Sequence, residues 1–255
     1  MATGTFTPAP AAAPLTHQVL AHAGHELRLQ LRNGEQLLLT VVIPILVLVG
    51  GVHVPLGTGG SGTRIGFLAP GVISLAVLST AFTGQAIGTG FERRYGVLKR
   101  MGASPLPRSG LLAGKTLAVL VIEAGQVVVL SGIAVALGWR PHPVIGSALL
   151  VLILGTAAFS AIALLMAGTL HAEATLAGAN LVFLLLLGLG GIAIPLTKFP
   201  AGVRAVLDLT PSAALSNGLR DTLTHGSALP AVPLVVLAIW TLVAGTLTAR
   251  TFRWE

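Results

Sequence analysis

A chain of 255 residues with 54% hydrophobic side chains, 9% charged residues and a mean hydropathy of +0.89 excludes a water-soluble globular domain, since such domains carry about 25% charged residues. The absence of cysteine excludes a disulfide framework, a thiolate metal site and cysteine nucleophile chemistry. Fifteen basic against eight acidic residues give a net charge of +7, whose meaning depends on where the charges sit.

The first 16 residues, rich in Ala, Pro and Thr, read as a disordered tail; no basic segment precedes an apolar run, so they are not a secretory signal. His17–Arg32 mixes Val19, Leu20, Leu27, Leu29 and Leu31 with Arg28, Arg32 and three His, and Asn33-Gly34 breaks it. The pattern predicts an amphipathic helix over 17–34 in the membrane interface, with a solvated tail as the alternative. Beyond it the charges act as rulers. Uncharged windows of 28, 27, 32, 24 and 28 residues follow Glu35, Arg64, Arg140, Glu173 and Asp221, and Lys115–Arg140 encloses one acid, Glu123. Each window can cross a hydrocarbon core of about 30 Å as a helix. Spans are expected near 37–56, 66–90, 116–138, 144–169, 175–196 and 229–249, which makes residues 35–255 an all-α, six-helix membrane domain. The runs are continuously apolar rather than alternating, which argues against a barrel. Pro44, Pro70 and Pro195 should kink or end their helices. Gly84, Gly88, Ser131 and Gly132 are small enough to let helices approach closely.

Ten Lys and Arg flank the spans on the side of the two termini and five lie on the other, so the positive-inside rule puts both termini in the cytoplasm. This placement accounts for the net charge without nucleic acid. Several apparent catalytic motifs fail. Gly110-Leu111-Leu112-Ala113-Gly114-Lys115-Thr116 is one residue short of a phosphate-binding loop; His25-Glu26 begins a zinc motif that Leu29 does not complete. His171-Ala172-Glu173 has no cysteine to complete a deaminase site, and no GxSxG elbow exists.

The loop after the second span is the informative segment. Phe91-Glu92-Arg93-Arg94-Tyr95-Gly96-Val97-Leu98-Lys99-Arg100-Met101-Gly102 sets Tyr95, Leu98 and Met101 at i, i+3, i+6, predicting one helix over 91–103 that is apolar on one face and basic around it. Such a helix suits docking to a partner; a positive-inside retention loop is the alternative.

Phe91–Lys115 resembles the signature of ABC type 2 transporter permeases: a charged cluster and Gly, an apolar helix, a small-residue-Pro step and a Gly-Lys. Arg32-Asn33-Gly34-Glu35 ahead of a first span with Ile43-Pro44, and Leu209-Thr210-Pro211 through Leu219-Arg220 ahead of the last span, extend the likeness over about residues 24–249. The Ala/Gly/Val/Arg-rich composition is similar to small drug-exporter permeases of actinobacteria. One departure stands out: Arg94 occupies the place of a second acid, which leaves Glu92 alone for any acid-dependent contact to an ATPase.

The resemblance implies a bacterial plasma-membrane half-transporter. A second permease subunit would complete the path, and two separate ATP-binding subunits would bind ATP and Mg, this chain holding no cofactor. Glu92, Arg93, Arg94, Tyr95, Gly96, Leu98, Lys99, Arg100 and Met101 would form the coupling helix, and 17–34 the connecting helix. Residues 197–228, with Pro211, Asn217 and Arg220, would form short helices dipping into the outer leaflet; a surface amphipathic pair is the alternative. Inside the spans Gln85, Glu123, Gln126 and Asn180 are candidates for the pathway or for helix packing. Sparse polar groups and 12 aromatics favour an amphipathic or apolar cargo, a drug or lipid-like molecule, over a polysaccharide. An ion-coupled secondary carrier and an intramembrane enzyme are the other classes, the latter without a complete catalytic set.

Overall fold

The computed structural model describes residues 12–53 and 64–252. The tail expected over 1–16 lies outside them as far as residue 11, as do the link 54–63 and Arg253. Every regular element among the described residues is helical: α1 (Leu15–Arg32), α2 (Gly34–His53), α3 (Arg64–Val77), a π-helical turn (Leu78–Gly84), α4 (Gln85–Arg94), α5 (Val97–Gly102), α6 (Arg108–Ala136), α7 (Ile145–Thr169), α8 (Ala172–Leu189), a 3-10 turn (Leu196–Lys198), α9 (Ala201–Leu207), α10 (Pro211–Leu223) and α11 (Ala231–Thr251).

Five of these helical stretches are long and apolar enough to cross a bilayer: Arg64–Arg94, Arg108–Ala136, Ile145–Thr169, Ala172–Leu189 and Ala231–Thr251. α2 is 20 residues long and apolar over Thr40–His53. The chain is therefore a multi-pass helical membrane protein. Boundaries shift where local chemistry overrides hydropathy. α6 starts at Arg108 rather than near 116, because Pro107 in extended geometry opens the helix and the bundle accepts Arg108 and Lys115 within it. α8 stops at Leu189, because Gly191 turns the chain with φ +71°. Pro44 and Pro70 sit inside α2 and α3 without ending them.

α7 is the central post. It packs against α4, α6, α8, α10 and α11, and Phe159 on it meets Phe82 of the π turn with ring centroids 6.4 Å apart. A Cβ at Gly155 would lie 2.7 Å from Leu215, whereas Gly88 and Gly132, singled out above, have open space beside them.

The segment before the last span folds into α9 and α10. Thr210 caps α10 by accepting from the Ala213 amide, and Pro211 sits in its first turn. Nine of the 13 residues of α10 are buried among α3, α7 and α11. Val203 and Val206 of α9 stay exposed while Leu215 and Leu219 of α10 are buried, so the two short helices differ in how they pack. Asn217 donates to Asp208 (3.5 Å). Arg220 donates to the Gly191 carbonyl (2.6 Å) and lies over the Phe67 ring, 4.0 Å from its centroid. Burial pulls the Arg220 pKa down to about 10, Asp221 opposing, so it remains a cation at neutral pH.

A methyl group at Gly190 would overlap Ser212 and the Leu186 carbonyl, whereas Gly188 has open space. Gly190→Ala is expected to cost about 1–3 kcal/mol by overpacking and to lower the thermal midpoint in detergent; Gly188→Ala should leave it unchanged or slightly raised.

Candidate functional site

The charged cluster at the end of the second span does not form the single helix 91–103 expected from sequence. α4 runs on to Arg94, Gly96 adopts φ +70°, and α5 begins anew at Val97. A left-handed residue ends an α-helix, and glycine takes that conformation without steric cost. The break rotates the apolar set out of register: Tyr95 is 68% exposed, while Leu98 is fully buried against Leu111, Leu164 and Phe252. Met101 packs at the edge of the same cluster.

Glu92 faces inward. Lys115 Nζ lies 2.8 Å from Glu26 Oε1 and 3.0 Å and 2.7 Å from Glu92 Oε1 and Oε2. One ammonium thus ties α1, α4 and α6 together, and the side chains of Lys115 and Glu26 are only 4% and 5% exposed. Glu92, expected as the one acid for an acid-dependent contact to an ATPase, has its carboxylate on Lys115. Lys115 sits two turns inside α6, in the segment that mimicked a phosphate-binding loop. Its two glycines have a packing reason, because a Cβ at Gly114 would lie 2.6 Å from the His22 ring and one at Gly110 2.8 Å from Leu106. The spacing lets α1 press onto α6.

α1 consequently buries its polar side. His22, Ala23 and Glu26 face α6, while Leu15, Leu20, Leu29 and Leu31 are each at least half exposed. His22 Nε2 is 3.6 Å from Glu26 Oε1. Burial lowers its pKa below the ordinary 6.5, Lys115 and His25 adding to the effect and Glu26 opposing it.

The arginines brace the same end. Arg93 donates to the carbonyls of Ala167 (2.9 Å) and Leu170 (2.6 Å), which closes the C-terminus of α7. Arg94 pairs with Glu173 at the start of α8, an exposed contact. Lys99 and Arg100 lie on the exposed side of α5 beside Tyr95.

The intramembrane candidates do not converge. Thr156 of α7 donates to Glu123, a helix–helix bond. Gln126 turns the other way, donating to the Thr40 carbonyl (3.1 Å) and exchanging a bond with Thr80 of the π turn. Asn180 is exposed on α8 and donates to Leu176 one turn back. Gln85 is buried with neither amide atom paired, facing a cavity between α1, α4 and α6. Sequence reasoning missed Glu26, Lys115 and Thr156 as partners. The signal for Lys115 was available: a lone lysine inside an otherwise apolar window needs a buried counter-charge.

The buried ionic ties thus join α1 to two helices of the bundle, and among the described residues no metal-binding cluster occurs. The model of the ABC-2 type transporter family matches residues 17–224, most of the chain, and the protein belongs to that family. It is a permease subunit of an ABC transporter, a type that works with ATP-binding subunits. A search of curated proteins found no match.

Lys115→Met leaves buried Glu26 and half-buried Glu92 without their shared cation and is expected to cost about 3–5 kcal/mol, read as a lower thermal midpoint and faster hydrogen exchange over α1. Glu26→Gln, which keeps the Lys115–Glu92 pair, should cost less. The His22 shift carries a sign: a detached α1 takes up a proton near pH 6.5 and the docked helix does so only at lower pH, so docking is strongest above 6.5 and weakens as pH falls below it. Hydrogen exchange over α1 should rise between pH 7 and 5.5, and His22→Gln should flatten that dependence.

Proposed function

We propose that the chain is the membrane half of a bacterial plasma-membrane exporter for hydrophobic or amphipathic molecules, drug or lipid-like. It pairs with a second permease subunit and is driven by two ATP-binding subunits that hold ATP and Mg. In this reading α2 supplies the first of six spans and both termini are cytoplasmic, as the ten-to-five bias of basic residues supports. The α9–α10 segment, with Pro211, Asn217 and Arg220, lies on the outer side.

The observation that carries the reading is the mechanical continuity of the basic end. Tyr95, Lys99 and Arg100 present an exposed aromatic and basic surface. Behind it Leu98 anchors α5 to α6, α7 and the end of α11, Lys115 binds α4 to α6 and α1, and Arg93 binds α4 to α7. A push on α5 therefore reaches several spans at once, which is what an ATP-driven two-state interface requires. Glu92, Arg93 and Gly96 serve as the internal frame of this device; Arg94, Tyr95, Lys99, Arg100 and Met101 form its outer part. The exposed Asn180 on α8, the least covered of the five long apolar stretches, supports a second permease against that face, since a polar amide in lipid gains from a partner.

Tyr95→Ala with Arg100→Glu should cut permease-stimulated ATP hydrolysis by the reconstituted complex at least tenfold while the permease's own thermal midpoint stays within a degree or two. Full stimulation in that double variant would reject α5 as the coupling surface.

A further inference from the structure

Beneath the ion triad lies a cavity of about 200 Å³, bordered by Glu26, Glu92, Lys115, Gln85 and Thr89. Gly84 and Gly88 form part of its wall without side chains, and the space beside Gly88 is open. The volume far exceeds what one water needs. Two features of its chemistry are unresolved by the protein alone. Two carboxylates share a single ammonium, so with both ionised the set carries one negative charge more than Lys115 offsets, and partial burial makes that charge costly. His22 does not supply the missing charge, because burial keeps it neutral. In addition Gln85, 7% exposed, has neither amide oxygen nor amide nitrogen paired, and Thr89, 1% exposed, has an unpaired hydroxyl.

We infer that this cavity is a binding site for a protonated amine carrying an oxygen on the neighbouring carbon. The ammonium balances the surplus charge of the Glu26–Lys115–Glu92 set and donates to the Gln85 oxygen and the Thr89 hydroxyl; the oxygen of the guest accepts from the Gln85 amide nitrogen. Lys115 cannot serve this purpose itself, since its ammonium is already shared between both carboxylates. A neutral diol of the same shape leaves the charge uncompensated, and a carboxylate guest doubles it. The same chemistry is presented by a soluble amphipathic amino alcohol and by an ethanolamine lipid headgroup. The site is independent of the coupling surface on α5, and occupancy requires neither ATP nor the ATP-binding subunits.

The test uses the full-length permease in nanodiscs of phosphatidylcholine and phosphatidylglycerol, with tritiated 1-amino-2-octanol as probe and no ATP. One saturable site per chain is expected, displaced by unlabelled amino alcohol and at least tenfold less by 1,2-octanediol. Glu92→Gln, which keeps the Lys115–Glu26 pair, should weaken binding tenfold or more. Gln85→Leu, which leaves the triad intact, should weaken it at least threefold. Adding phosphatidylethanolamine separates the two sources: competition assigns the site to the lipid headgroup, and unchanged probe binding assigns it to the soluble amine. Non-saturable uptake, equal displacement by the diol, or unchanged affinity in both variants overturns the inference. Because ATP turnover is never read, failure here leaves the exporter reading intact, and loss of that reading leaves this binding intact.

Discussion

One lysine holds the basic end of this membrane protein together. Lys115 reaches Glu26 from one side and Glu92 from the other, joining α1 to two long helices, with Lys115 and Glu26 nearly closed to solvent. In a soluble core such a triad competes with hydrophobic residues that often serve as well. In the membrane the comparison changes, because α1 has little apolar surface to offer α6 on its inward face. Leu20, Leu29 and Leu31 are at least half exposed, so much of the attachment is polar. The glycine at 114 follows from this requirement: a polar tie of this kind needs the helices close, and a Cβ there would run into the His22 ring of α1, whereas Gly110 makes room for Leu106 just ahead of α6.

The surroundings of the triad read as a frame for it. Arg93 closes the end of α7, Leu98 seats α5 in a pocket made by α6, α7 and Phe252, and Gly96 gives the sharp turn that lets α4 end and α5 start in a different direction. Each contact crosses to a different helix. The result is a rigid cap on one end of the bundle, whereas the opposite end is built from short helices, with α10 inserted among α3, α7 and α11.

The class of fold was legible in composition and charge spacing, since five long apolar stretches and α2 fall in the windows that the charged residues delimit. Helix ends were less so. Pro107 and Gly191 moved them by several residues, because backbone geometry at a helix terminus is decided locally and hydropathy averages over it. The cluster Glu92–Met101 was visible as a site, but its interior and exterior were exchanged in part: helical periodicity across residue 96 placed Tyr95 beside Leu98, and one left-handed glycine separates them. The pairing of Lys115 with Glu26 was not visible in any motif, since a contact across 89 residues leaves no local pattern. The membrane glycines show the same limit: Gly155 and Gly114 are tightly packed and Gly132 is not, a difference that depends on what lies opposite.

The inverted amphipathicity of α1 has a consequence for how the chain is put into the membrane. Glu26 precedes its lysine partner by 89 residues, so α1, α2, the second span and α5 must be made before the contact can exist. Until α6 arrives, the exposed leucines would let α1 lie in the lipid interface of the proposed placement, with His22 and Glu26 toward water. When Lys115 enters with the third long helix, the polar side of α1 gains its partner without the helix having to turn over. In the proposed membrane placement the leucine face would moor α1 at the interface, and the triad would close as a latch once the chain behind it is in place.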